Sequence, residues 1–233
     1  MRLRRRLAAI LLALLPGFAL TTVFFVTTAW ASSYATLTVD TLADGAGDCA
    51  ASGSCTLRAA IAAAAPGDTI VFAPALAGGV ITLTGEQLII DKSLTISGSN
   101  AITVSGGGVV RVFEITAGTV TFDGVTIVDG KPPLNGTADG AGIRVLANAS
   151  LTVLNTTFAG NIAGNGGGGI SNYGALVVRD STFVSNTTSG EGGAIYNAGR
   201  ATVSNSTLSN NVTLSRWRHQ QPRGTDDQQQ HIV

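Results

Sequence analysis

Five carboxylates in the second half of this 233-residue chain, Asp123, Asp129, Asp139, Asp180 and Glu191, are the side chains whose type could do chemistry. Glycoside hydrolysis needs two carboxyl groups about 5 to 9.5 Å apart across a cleft. A calcium-dependent polysaccharide lyase needs an acidic cluster with a basic residue beside it. The five do not recur at a common spacing, although Asp123 and Asp129 fall within one repeat, so they read as solvated turn carboxylates. Both histidines, His219 and His231, lie in a C-terminal stretch of foreign composition, so no nucleophile–base triad can be assembled in the body of the chain.

Closer to the start, Asp40, Asp44 and Asp48 are spaced by Gly45 and Gly47. Such a loop of oxygen donors could hold calcium, but a lone acidic series of this kind also describes an ordinary turn, which is the preferred reading. The two cysteines, Cys49 and Cys55, have no histidine nearby to complete a tetrahedral metal shell, and so read as a disulfide stapling a short loop. No catalytic, cofactor-binding or metal site is therefore assigned.

The elements that carry these residues are set by a repeat. Phe158, Phe183 and Leu208 fall at intervals of 25, as do Asn161, Asn186 and Asn211. A fixed period means one structural unit per repeat, stacked on its neighbours. Within each unit apolar residues alternate, as in Leu151 and Val153, Leu176 and Val178, and Ala201 and Val203, the period of a strand with one buried face. Earlier, Leu94-Thr95-Ile96 and Val120-Thr121-Phe122 lie 26 apart, and Ile102 and Ile127 lie 25 apart. A longer step of 31 from Phe122 to Val153 absorbs an insertion, Lys131 to Gly136.

Two or three short strands per repeat of this register predict an all-β fold, a right-handed parallel β-helix of about 25 residues per coil, because the left-handed form repeats in multiples of six. Equivalent side chains then stack at ~4.8 Å. Phe158, Phe183 and Leu208 form an inward ladder with Ile143, Ile170 and Ile195; Thr157, Thr182 and Thr207 form another row; and Asn161, Asn186 and Asn211 form an amide ladder at a turn. Gly167-Gly168 and Gly192-Gly193 supply positive φ at sharp turns. Thr56 as N-cap, apolar residues at Leu57, Ala60, Ile61 and Ala64, and Pro66-Gly67 as a stop predict a two-turn amphipathic helix that lids the open end, with Thr69 to Phe72 as the next strand. The sequons at Asn135, Asn148, Asn155, Asn186, Asn205 and Asn211 follow from the repeat placing Asn and Thr in ladders.

Residues 1–31 read as a secretory signal: Arg2, Arg4, Arg5 and Arg6, an apolar run from Leu7 to Val26, and a small-x-small site at Ala29-Trp30-Ala31. An uncleaved anchor is the alternative, since about 20 apolar residues can span a bilayer. Between Ser32 and Leu214 seven Lys or Arg stand against twelve Asp or Glu, a net charge near −5, which gives no electrostatic basis for nucleic-acid binding. The chain thus divides into the signal, a cap region over 32–80 with disulfide and helix, β-helix repeats over 81–214, and an aberrant tail over 215–233. From Arg216 the shifted reading frame permits Gly-Gly-Gly-Ile-Asn-Asn, the next repeat phrase, so the tail reads as a frameshift without an evolved role and the native rod as continuing further.

Cys55-Thr56-Leu57-Arg58-Ala59-Ala60-Ile61, followed by Pro66 to Ile70 and by Ile81-Thr82-Leu83, resembles the CSLREA domain at the start of many secreted bacterial β-helix proteins, departing from it at Ala59, where that pattern has glutamate. Gly192-Gly193-Ala194-Ile195, with Phe158 to Asn161 and Phe183 to Asn186, resembles the polymorphic outer membrane protein repeat, although Leu208 replaces Phe after the GGAI phrase. The resemblance implies a pectin-lyase-like β-helix at the cell surface or outer membrane, and carries over no catalytic residues. The expected role is structural and adhesive, with surface glycans, matrix or other cells as partners, no small-molecule cofactor, and membrane contact only through the signal segment. The alternative is a carbohydrate-active enzyme whose site lies in coils outside this sequence.

Overall fold

The computed structural model describes residues 34–134 and 138–214. The segments read as signal and tail, with His219 and His231, and the sequon at Asn135 lie outside the described residues. Strand β1 (Thr36–Val39) precedes the disulfide loop and helix α1 (Leu57–Ala63) follows it. Next come β2 (Thr69–Phe72), a short 3-10 turn (Pro74–Leu76), β3 (Val80–Thr82), β4 (Leu88–Ile90), the long β5 (Leu94–Ser105), β6 (Phe113–Ile115) and the long β7 (Gly118–Val128). After the insertion each coil resolves into four short strands. The first holds β8 (Ile143–Val145), β9 (Ala149–Leu154), β10 (Thr157–Ala159) and β11 (Ile162–Ala163). The second holds β12 (Ile170–Asn172), β13 (Ala175–Arg179), β14 (Thr182–Val184) and β15 (Thr187–Thr188), and the third β16 (Ile195–Asn197), β17 (Arg200–Ser204), β18 (Thr207–Ser209) and β19 (Val212–Thr213).

Every strand pairing in these sheets is parallel, and each joins a strand to its equivalent one coil on, which is a β-solenoid. A sheet of eleven strands, one of five (β4, β6, β8, β12, β16) and one of three (β11, β15, β19) wrap a single apolar core. The 25-residue register holds pair by pair: Phe158 lies opposite Phe183 and Phe183 opposite Leu208, while Leu176 pairs with Leu151 and Ala201. The Phe158 and Phe183 rings stack with centroids 4.6 Å apart and planes 3° from parallel. Ile143, Ile170 and Ile195 form a separate column on the five-stranded sheet.

Thr56 caps α1, its Oγ1 accepting from Ala59 N at 3.0 Å, and Leu57, Ala60 and Ile61 are buried in the same cluster as Val39, Ile70 and Leu88. At the other end of α1, Lys92 Nζ donates to the carbonyls of Ile61 and Ala64, which satisfies orphan acceptors of the last turn. Strand β1 was not expected. It pairs in register with β2, Thr36 opposite Thr69, so the region read as a cap already stacks in the large sheet.

Two expectations need correction. Ile102 pairs with Val125, and it is Val104 that meets Ile127. The chain between Ser97 and Ile102 bulges outward where Asp123 and Val125 are joined by Gly124 alone, with Ser99 and Asn100 at φ 51° and 59°. Of the glycine pairs, only Gly167 and Gly192 have positive φ, at 63° and 68°. Gly168 is needed for close approach instead, because a Cβ there would lie 2.3 Å from the carbonyl oxygen of Gly193 on the next coil.

Candidate functional site

The turns that join these strands explain most of the candidate carboxylates. Gly124, Asn155, Asp180 and Asn205 stack in one positive-φ column, and Asp129, Gly160, Ser185 and Asn210 in a second. Short polar side chains and glycine are the residues that adopt this conformation at low cost. Asp129 and Asp180 are therefore turn residues. Asp129 also accepts from Ser105 Oγ at 3.3 Å, Asp123 accepts from Asn155 Nδ2 at 2.8 Å, and Glu191 contributes its backbone to a bridge with Gly166.

The N-terminal aspartates are likewise taken up one by one. Asp40 accepts from the backbone N–H groups of Gly53 and Cys55, and Asp48 from that of Ala50. Asp44 receives Arg58 Nε at 2.9 Å, Arg58 Nη2 at 3.1 Å and Thr84 N at 2.9 Å. Burial pushes the Asp44 carboxyl upward, but the hydrogen bonds and charge of Arg58 and the Thr84 N–H outweigh it and hold the group below its ordinary value. Cys49 and Cys55 are joined in a disulfide that closes this loop. Among the described residues no three metal-ligating side chains converge.

Asp139 departs from the reading as a solvated turn carboxylate: it is 3 % exposed. On the outer side of the five-stranded sheet the central positions Ile89, Glu114, Arg144, Ser171 and Tyr196 stand in one row, and Asp139 folds over it. Arg144 donates to Glu114 at 2.9 Å and lies 3.3 Å from Asp139 Oδ2. Ser171 Oγ and the Tyr173 hydroxyl donate to the same Oδ2 at 3.2 and 2.8 Å. Arg111 lies 3.8 Å from Glu114 and 3.7 Å from Asp139 Oδ1, donates to the carbonyls of Asp139 and Gly140, and reaches Gln87, which in turn donates to Glu114 at 2.7 Å. Two guanidiniums thus face two carboxylates.

The electrostatics of this cluster are those of a closed network. Burial lowers the pKa of Arg111, against the pull of Glu114 and Asp139, and burial together with the Asp139 hydrogen bond raises that of Tyr173. Tyr173 is held as a phenol donor. Arg111, Glu114, Arg144 and Tyr173 were not singled out by sequence, since each taken alone looks like an ordinary surface residue.

Two further ladders run through the coils. Asn161 Nδ2 donates to Asn186 Oδ1 and Asn186 Nδ2 to Asn211 Oδ1, both at 2.9 Å, as the repeat implies. Beside them Thr156, Ser181 and Ser206 form an unforeseen hydroxyl ladder, in which the N–H of Thr156 meets Ser181 Oγ and that of Ser181 meets Ser206 Oγ, both at 3.2 Å. Shallow grooves flank the charge cluster, one of about 440 Å³ between α1 and β4, the other of about 390 Å³ beside Tyr173.

Comparison with curated proteins and with solved structures finds no match for the chain. Residues 76–220, well over half of the sequence, match the model of the right-handed β-helix region, which covers the coils from the 3-10 turn onward. Its parallel sheets, its 25-residue register and this match place the chain in the right-handed β-helix family.

Proposed function

We propose that this chain is an exported structural and adhesive rod, displayed at the cell surface, that works by contact with glycans, matrix or neighbouring cells. The observation that carries this reading is the charge cluster: Arg111, Glu114, Asp139 and Arg144, the largest network of ion pairs among the described residues, are largely buried and paired with one another. A catalytic pair needs a group left poised against substrate. This network spends its groups on one another. The CSLREA-like phrase supports the finer assignment, because its Arg58 binds Asp44 and the carbonyls of Glu86 and Gln87 and so ties the cap to the coils. The phrase that resembles the polymorphic outer membrane protein repeat, Gly192 to Ile195 with Phe183 to Asn186, supports surface display through that resemblance alone.

A binding screen of the full chain against immobilised polysaccharides, matrix and cell-surface material tests this reading. Retention above that of the denatured chain is expected; no retention, together with cleavage of a glycan, would overturn it. The enzymatic reading draws on one observation, that Glu114 and Asp139 share Arg144 beside Tyr173. It requires release of reducing ends or unsaturated products from acidic polysaccharides, and loss of that release in Glu114→Gln, or in Asp123→Asn or Asp129→Asn.

A further inference from the structure

Between β11 and β12 the chain bends through Gly164 and Asn165, and Asn165–Gly166 is the only asparagine–glycine step among the described residues. Most asparagines of the coils hold a place in the fold. Asn161, Asn186 and Asn211 form the amide ladder, Asn172 donates to Asn197, and Asn155, Asn205 and Asn210 take positive φ at turns. Asn165 does none of these. Its φ is not positive, its side chain is exposed and makes no hydrogen bond among the described residues, and the coil that follows carries Gly190 in its place, 25 residues on. The amide is therefore free to move on a stretch of backbone that belongs to no strand.

The peptide group that follows Asn165 is set up as a nucleophile. Thr188 Oγ1, on a side chain 0 % exposed, donates to the Asn165 main-chain carbonyl oxygen at 2.9 Å. That oxygen shares the negative charge which forms when the Gly166 N–H loses its proton, so a hydrogen bond to it favours the deprotonated amide. The Gly166 N–H makes no hydrogen bond among the described residues, and no ladder bond has to break before it reacts. Gly166 also has no Cβ to stand in the way of the neighbouring side chain, and it cannot acquire one cheaply, because a Cβ there would lie 3.0 Å from Cγ of Tyr196.

We infer that Asn165–Gly166 is a self-modification site, at which Asn165 deamidates in the folded rod. The deprotonated Gly166 nitrogen bonds to Asn165 Cγ, the Cγ–Nδ2 bond breaks, and Nδ2 leaves as ammonia, carrying in net the proton that Gly166 lost. Water then opens the cyclic imide. Breaking the bond from Cγ to nitrogen gives aspartate; breaking the main-chain bond instead gives isoaspartate, in which the chain runs on through Cβ and Cγ. Nothing is oxidised or reduced. Either product acts on the coil. Gly166 bridges Glu191, so the new carboxylate stands one residue from a rung that already carries an acid. Isoaspartate also adds a methylene to the main chain where there is no slack, since a Cβ on Gly190 would run into the Asn165 carbonyl and the two coils meet there by backbone alone. The modification therefore loosens the stack beside the pairing of β11 with β15.

Timed incubation of the full chain at mildly alkaline pH tests this, with samples digested and mapped by mass and isoaspartate labelled by protein isoaspartyl methyltransferase with S-adenosylmethionine. Peptide mapping separates the step from Asn135–Gly136, which lies outside the described residues. Conversion is expected at Asn165, at a rate that rises in proportion to hydroxide and many-fold faster than at the exposed Asn148, Asn205 and Asn210, whose successors all carry side chains. It should be lost in Asn165→Gln and slowed in Thr188→Val, with the urea midpoint of each variant measured first to show that it folds. As isoaspartate accumulates the midpoint of the native chain should fall, and that of Asn165→Gln should hold. An Asn165 that survives in the folded chain while the same step converts in urea overturns the inference. Conversion no faster than at Asn148, or an unchanged rate in folded Thr188→Val, overturns it equally.

Discussion

Replacing Asn186 by alanine cuts the amide ladder at its middle, fully buried rung. Asn186 is 0 % exposed, and its side chain makes four hydrogen bonds: Nδ2 donates to Phe158 O and Asn211 Oδ1, and Oδ1 accepts from Asn161 N and Asn161 Nδ2. Asn186→Ala leaves two N–H groups of Asn161 without an acceptor in a region water does not reach. An orphaned buried donor costs about 1–3 kcal/mol, so the loss is about 2–6 kcal/mol, against a total stability of order 5–15 kcal/mol for a domain. Asn211→Ala removes the acceptor for two donors of Asn186, but at a half-exposed position where water can substitute, and should cost about 1 kcal/mol. Thr182→Ala, on the outward row, should stay within about 0.5 kcal/mol. Urea unfolding followed by circular dichroism ranks the three through the midpoint of the first transition, since stacked coils can unfold in stages. If Asn186→Ala unfolds no earlier than Asn211→Ala, the ladder is not an energetic feature and the reasoning fails.

Phe183→Ala removes a fully buried ring from between Phe158 and Leu208 and should cost about 3–5 kcal/mol in the same assay, where a loss below that of Asn211→Ala would contradict the inward stack. Because the Asp44 carboxyl is held below its ordinary 3.8, its contribution to stability is present above that value and is lost as pH falls through the depressed one, so Asp44→Asn should flatten the acid limb of a stability–pH profile. Tyr173 is shifted upward from 10.0, so its contribution is present below that value and is lost as pH rises through the raised one; Tyr173→Phe should flatten the alkaline limb, and an unchanged limb would refute the role of the phenol. Native protein recovered from the medium or surface of its source cells should show no free thiol until reduced, and two reactive thiols would argue against both the Cys49–Cys55 staple and the proposed export.

The period was legible because each coil must return an inward aromatic or aliphatic residue, a turn amide and a turn glycine to the same place. Phe183, Asn186 and Gly192 each answer one of those demands. The hydroxyl ladder was hidden in plain view: Thr156, Ser181 and Ser206 share the interval of Thr157, Thr182 and Thr207, and only direction separates the two rows, one buried and one outward. The pairing of Ile102 was misread because the bulge at Ser99 and Asn100 lengthens one strand without disturbing the apolar alternation on either side. Charges were the least legible of all. Arg111, Glu114, Asp139 and Arg144 come from different coils across the insertion, so no fixed interval connects them.

Turn chemistry and reaction chemistry draw on the same residue types, so a carboxylate in a coil can be weighed for reaction chemistry only after its turn role is set aside. Asp129 and Asp180 sit where glycine, asparagine or serine sits on neighbouring coils, so the backbone demands a residue tolerant of positive φ and has no use for the charge itself. Removing the residues a turn explains leaves Asp139 and its two arginines. A buried ion pair adds little net stability over an apolar one, because desolvation offsets the attraction, but breaking it is costly. Its position supplies the physical reason for keeping it. Asp139 lies where the chain re-enters the coil after the insertion, and Arg111 from the preceding coil donates to the carbonyls of both Asp139 and Gly140. An apolar contact there could slide along the row. The forked guanidinium accepts only one placement of those carbonyls, so the cluster fixes the register of β8 on β6, Phe113 opposite Ile143, at a step that the insertion lengthens beyond the 25-residue period.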